Sequence, residues 1–167
     1  IMKFMSTKKY ILFSILLIIL FLLTILVTST NFKYVDPQPN FLITFIDTED
    51  SQSTITMKIE SDTSVSCWNN YDLRAASSKT SSGITVNIDG VYKKESFFQS
   101  CYTSGPRPPV VIIDTEKILD EGTEIELLFR FSEKVDEYVL SRKNTILNAE
   151  PKNGDFTTII SQYEKSE

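Results

Sequence analysis

The sequence predicts an all-β domain, an antiparallel β-sandwich, preceded by one N-terminal transmembrane α-helix. Three observations carry that expectation. Residues 11–27 (ILFSILLIILFLLTILV) hold no charge and only Ser14 and Thr24 as polar groups. Beyond residue 40, apolar residues recur at every second position in several short runs, the period of a half-buried strand. Turn-forming clusters of Gly, Asp, Ser and Pro separate those runs, and no part of the domain carries a 3.6-residue apolar stripe.

The uncharged stretch between Lys9 and Lys33 runs from Tyr10 to Phe32. As a helix it would be roughly 35 Å long, enough to cross a hydrocarbon core of about 30 Å and longer than a usual secretory core segment. Leucine and isoleucine occupy every face of it, so it does not read as a core helix of a soluble domain. Lys3, Lys8 and Lys9 precede it with no acidic residue among them, which places residues 1–10 in the cytoplasm and the domain outside the cell membrane. Tyr10 on one side and Phe32 with Tyr34 on the other stand where interfacial aromatics belong. The competing expectation is a signal peptide cut at the small residues near Ser29, which would release a secreted binding protein. The segment lacks the GxxxG spacing that favours close helix pairing.

The domain plan follows from this: a cytoplasmic N-terminus at 1–10, a signal-anchor helix at 11–30, a stalk with two prolines at 31–40, an extracytoplasmic sandwich at 41–160, and a tail at 161–167. Three of the 17 basic residues and none of the 22 acidic ones precede residue 31, leaving 14 against 22 beyond it, a net −8. That balance weighs against holding nucleic acid or anionic lipid through a basic patch. The two cysteines, Cys67 and Cys101, fall on the oxidising side and are expected to form one disulfide. No metal site of the CxxC or histidine kind competes, since the chain has no histidine.

Taken in order, the expected strands begin with Phe41 to Ile46, followed by a turn at residues 47–51. Thr54 to Glu60 alternates with its apolar residues on odd positions. Thr63 to Trp68 is a weaker candidate, and Asn69 to Ser82, a largely polar segment, reads as a mobile loop. Ile84, Val86 and Ile88 alternate with polar neighbours and lead to Asp89-Gly90, read as a turn. Phe97 to Tyr102 and Val110 to Ile113 follow. Asp120-Glu121-Gly122 turns the chain into Thr123 to Phe131, with Ile125, Leu127, Phe129 and Phe131 inward. Asp136 to Leu140 and Phe156 to Ile160 complete the set.

In general architecture such a two-sheet sandwich is similar to an immunoglobulin domain, although Trp68 directly follows Cys67 instead of lying well between the cysteines. The layout of apolar helix and β-rich head is also similar to type IV pilins and archaellins. Those carry a glycine-ended leader, whereas the first glycine here is Gly83.

Without histidine, Ser-His-Asp and Cys-His catalysis cannot be assembled. Ser29 with Lys58 meets only the loosest description of a Ser-Lys dyad. Glu124 with Glu126, and Asp120 with Glu121, are the carboxylate pairs that the remaining alternative, a carboxylate-dependent extracytoplasmic hydrolase, would use; Glu124 and Glu126, two residues apart on a strand, share its solvent face. Asp47, Glu49 and Asp50 lack a calcium-loop pattern. The sequence therefore predicts a protein that is not an enzyme, binds no cofactor or metal, and works by contact with a membrane or cell-surface protein or with itself. The candidate contact residues are Phe98 and Tyr102, the stiff Pro106-Arg107-Pro108 segment, and Tyr71 and Arg74 within the polar loop.

Overall fold

The computed structural model describes residues 7–28, 31–47, 54–95, 101, 105–115, 119–120, 122–143, 146–160 and 164–165. The helix α1 (Thr7–Thr28) occupies the apolar run. Its large apolar side chains from Ile11 to Leu23 are all exposed, between 48% and 75%. Among the described residues no helix is long and apolar enough to cross a membrane. The side chains described in α1 are those of residues 11–24, about 21 Å of helix, so the expected transmembrane span is not shown.

The strands are β1 (Asn31–Tyr34), β2 (Phe41–Asp47), β3 (Thr56–Ser61), β4 (Tyr71–Lys79), β5 (Gly83–Glu95), β6 (Val110–Asp114), β7 (Glu124–Phe131), β8 (Lys134–Lys143), β9 (Ile146–Asn153), β10 (Thr157–Ile159) and β11 (Glu164–Lys165). Among the described residues they form two sheets. One has the order β1-β5-β7-β8-β9 with β4 also on β5, and the other has β10-β2-β3-β6 with β11 also on β2. The alternation predicted for β3 is met, with Met57, Ile59 and Ser61 buried and Thr56, Lys58 and Glu60 half-buried. In β7, Leu127 and Phe129 face the core and Glu124, Glu126 and Arg130 face solvent. Phe41, Ile43, Met57 and Ile59 of one sheet and Ile84, Val86, Leu127, Phe129 and Leu140 of the other are at most 1% exposed and form one core. Phe41 meets Phe131 edge-on at 5.5 Å, and Phe129 meets Tyr138 at 5.8 Å, which locks the ring packing of this layer.

The pairing corrects the expectation of a purely antiparallel sandwich. β5 and β7 run parallel, as do β2 and β10 and β2 and β11. The cause is sheet switching: after β5 the chain crosses to the other sheet as β6 and returns as β7, supplying the long connection that a parallel pair requires. Gly83 opens that pair because a Cβ there would stand 1.8 Å from the Glu126 carbonyl oxygen.

Three further readings are corrected. Residues 31–40 are no stalk: β1 pairs with the end of β5, Asn31 opposite Glu95 through Tyr34 opposite Tyr92. Gln38 then accepts from the Val91 amide at 2.7 Å and donates to the Val91 carbonyl at 3.1 Å. Asp89-Gly90 is no turn, because β5 runs through it and the pairing with β4 slips between Arg74 and Ala75, so that Asp89 bulges out beside Gly90 at φ +114°. A positive-φ glycine serves a bulge as well as a turn, so the local chemistry was the same. Residues 71–79 form β4, a nine-residue strand, instead of a mobile loop. Its backbone is paired along β5 although Leu73 is its only buried residue. The weaker candidate at 63–68 is an isolated bridge between Val65 and Arg107, followed by a 3₁₀ turn at Trp68–Asn70. Of the candidate strand at 97–102 only Cys101 lies within the described residues, and the turn expected at 47–51 lies outside them apart from Asp47.

The last crossing between the sheets, from β9 to β10, is held by a buried carboxylate. Asp136, 2% exposed, accepts from the amides of Asp155 (3.0 Å), Phe156 (3.1 Å) and Thr157 (2.7 Å) and from the Thr157 hydroxyl (2.6 Å). Tyr138, next along the inward face of β8, donates its hydroxyl to the Thr157 carbonyl at 2.9 Å.

Burial raises the Tyr138 phenol above its ordinary value near 10; the Thr157 hydroxyl opposes the shift and the Asp136 charge adds to it. The folded state therefore holds this proton more tightly than the unfolded chain does. The resulting stability is complete below about pH 10 and is lost as pH rises through the folded value. In denaturant titrations, the advantage of the wild type over Tyr138→Phe is expected to shrink above about pH 10. A difference that stays constant to about pH 11.5 would contradict this.

Candidate functional site

At one end of the sandwich the polypeptide between β1 and β2 faces the loop after β3 and encloses a cleft of about 360 Å³. Its apolar wall is built from Val35, Pro37, Pro39, Val65, Val91 and Pro109, with Tyr71 at the start of β4. The Gln38 amide pins this wall by taking the place of a neighbouring strand beside Val91. The opposite wall is fixed by main-chain bonds from Ser61 to the Pro109 carbonyl (3.0 Å) and from Asp62 to the Asn40 carbonyl (2.9 Å). The cleft is thus preformed, with a volume in the range of small-ligand pockets. Asp62 is the single carboxylate among its described lining residues, so two acids do not meet there.

Among the described residues no group of His, Cys, Asp and Glu is placed to hold a metal ion. Glu124 and Glu126 are exposed on β7, and Glu126 meets Lys152 at 3.5 Å.

The predicted contact residues are dispersed. Tyr71 lines the cleft. Arg74 is tied to Asp72 at 2.8 Å and lies over the rings of Phe32 (4.2 Å) and Tyr92 (4.6 Å). Arg107 exchanges main-chain bonds with Val65, and its guanidinium lies 5.5 Å from the centre of the Trp68 ring. Pro106 is exposed and Pro108 half-buried. Phe98 and Tyr102 lie outside the described residues.

Cys67 and Cys101 form the expected disulfide, with Cα atoms 4.7 Å apart. Cys67 is half-buried in the left-handed conformation ahead of the 3₁₀ turn, and Cys101 is exposed. The bridge therefore ties loops at the end of the sandwich and does not cross the core as an immunoglobulin disulfide does.

Two residues that shape this end were not singled out in the sequence, Gln38 and Asp136. Asp136 had a usable signal: it occupies an inward position in phase with Tyr138 and Leu140 on β8. Gln38 had none, because its partner Val91 is distant in the chain. No family model, no curated protein and no solved structure matches the chain.

Proposed function

We propose that this chain is a non-enzymatic, single-pass membrane-anchored protein. Its N-terminus lies in the cytoplasm, and its extracytoplasmic β-sandwich contacts a membrane or cell-surface protein, as an accessory subunit or as an assembly or adhesion component. The observation that carries the reading is α1: a 22-residue helix whose described apolar side chains are all exposed, beside a domain with its own closed core. Water is a poor solvent for such a surface, and lipid is a good one. The length that a hydrocarbon core of about 30 Å needs is offered by the uncharged sequence from Tyr10 to Phe32, not by the described helix. The preformed cleft beside Tyr71 is the natural seat for a side chain of the partner.

The test is purification of the full chain in mild detergent, followed by intact mass and identification of stoichiometric companions. The expected result is an intact chain that resists carbonate extraction from membranes and brings down a defined partner. A mass lacking about the first 29 residues would replace the anchored reading with the secreted one. Repeated recovery of the chain alone would remove the accessory-subunit role.

A further inference from the structure

The cleft beside Tyr71 has a charged rim that forms only when β4, β5 and β1 come together. Leu73, Val91 and Val35 make one row across these strands, and Tyr71, Lys93 and Lys33 make the next row outward. Side chains two positions apart on a strand share a face, so Lys93 and Lys33 lie on the same side as the buried Leu73 and Val91. Arg74, Tyr92 and Phe32 stack together on the other side. Tyr71, Val91 and Val35 line the cleft. Lys93 is therefore directly across from a lining residue, about 7 Å along its strand from Val91, with Lys33 beside it.

Both lysines are exposed, and among the described residues neither has an ion-pair partner. Like charges placed directly opposite on paired strands repel, and an anion between them relieves the repulsion. Glu95, opposite Asn31, stands one row further from the cleft. On the facing wall, Asp62 is exposed, and one of its carboxylate oxygens accepts from the Thr63 hydroxyl at 3.0 Å. An occupant thus meets valines and prolines inside the cleft, a pair of lysines on one rim and a single, partly engaged carboxylate on the other.

We propose that the cleft receives an extended segment of a partner protein in which an apolar side chain stands two residues from an aspartate or glutamate. The apolar side chain fills the space between Val35, Val65 and Pro39, and the carboxylate lies between Lys33 and Lys93. The two-residue spacing matches the step between the rows, because an extended peptide advances at the same rate as a strand. The proposal rests on the partner-binding reading above and names the chemistry of the segment bound. Lys33 lies five residues beyond the end of α1, at most about 18 Å of extended chain, so in the anchored reading the partner presents this segment close to the bilayer.

The full chain in mild detergent is titrated at low salt with a fluorescent, end-blocked peptide carrying a glutamate two residues to either side of a leucine. Counterpart peptides carry glutamine or lysine in place of both glutamates. The expected result is that the glutamate peptide binds about tenfold more tightly than the glutamine peptide, and the lysine peptide most weakly. That preference should fall below about twofold in the double variant Lys33→Gln with Lys93→Gln and in high salt, and persist in Asp62→Asn. The double variant removes a like-charge pair, so its thermal midpoint should be unchanged or higher, and lost binding cannot be ascribed to misfolding. No binding, equal binding of the three peptides, or a preference that survives the double variant overturns the proposal. Tighter binding of the lysine peptide, lost in Asp62→Asn, also overturns it and assigns the cleft to a cationic segment. A defined partner recovered from membranes alongside any of these results leaves the accessory-subunit reading standing. Recovery of the chain alone with the glutamate preference intact removes that reading and upholds the chemistry of the cleft.

Discussion

Replacing Asp136 with alanine is expected to lower the unfolding free energy by about 3–5 kcal/mol, read as a fall in urea midpoint with unchanged slope. The carboxylate receives three main-chain amides and one hydroxyl, and the bonds from Phe156 and Thr157 are buried while the one from Asp155 is part-buried. Alanine leaves the buried Phe156 and Thr157 amides without an acceptor, while the Thr157 hydroxyl keeps Tyr138 at 3.0 Å and the Asp155 amide is part-buried; each unsatisfied buried donor costs about 1–3 kcal/mol. Because a typical domain is stable by only about 5–15 kcal/mol, the loss is a large share of the total.

Asparagine separates the contributions. One carboxylate oxygen accepts three of the four bonds and the other accepts only from Asp155. An asparagine side chain at this position can keep its carbonyl at the busier place and set its amide near the Asp155 N–H, at a cost of about 1–2 kcal/mol. The order wild type, Asp136→Asn, Asp136→Ala is therefore expected. Equal loss for both variants would mean that charge, not acceptor geometry, holds the corner. Gly154 belongs to the same device: a Cβ there would fall 2.2 Å from the Asp136 carboxyl carbon, and its φ of +142° suits glycine alone.

Removal of the disulfide by Cys67→Ser with Cys101→Ser is expected to cost about 3.5–4 kcal/mol in the chain-entropy account, for a sequence separation of 34 residues. This effect differs in kind from that of Asp136. The bridge lies outside the core, so the circular dichroism of the folded variant should match the wild type while its midpoint falls. The same drop should follow addition of reductant to the wild type and be absent when reductant is added to the variant. A midpoint unchanged within about 0.5 kcal/mol would show that the bridge does not restrain the unfolded chain.

The contrast between these two sites also shows how far the sequence could be read. The cysteine pair was legible because a chain with two cysteines admits one internal partnership. Asp136 was visible as part of a strand, but its role depends on amides 19 to 21 positions away, brought to it when β9 gives way to β10. The candidate contact residues fared in the same way. Tyr71 reaches the cleft because β4 is paired to β5, whereas Arg74 is engaged by its neighbour Asp72 and by Phe32 and Tyr92 from two distant parts of the chain.

The sequence by itself determined where apolar side chains alternate, hence the inward faces of β3, β5 and β7, and it determined the apolar stretch that becomes α1 and the disulfide. These are properties of neighbouring residues, and side-chain period records them directly. Tertiary structure alone decided which strands are neighbours and in which direction they run: the parallel β5–β7 pair, the enrolment of residues 31–34 as β1, and the strand character of the polar segment 71–79. The physical reason is that sheets are joined by main-chain amides and carbonyls, which are the same in every residue but proline. A segment with little apolar pattern can therefore become a strand wherever an unpaired edge lies beside it.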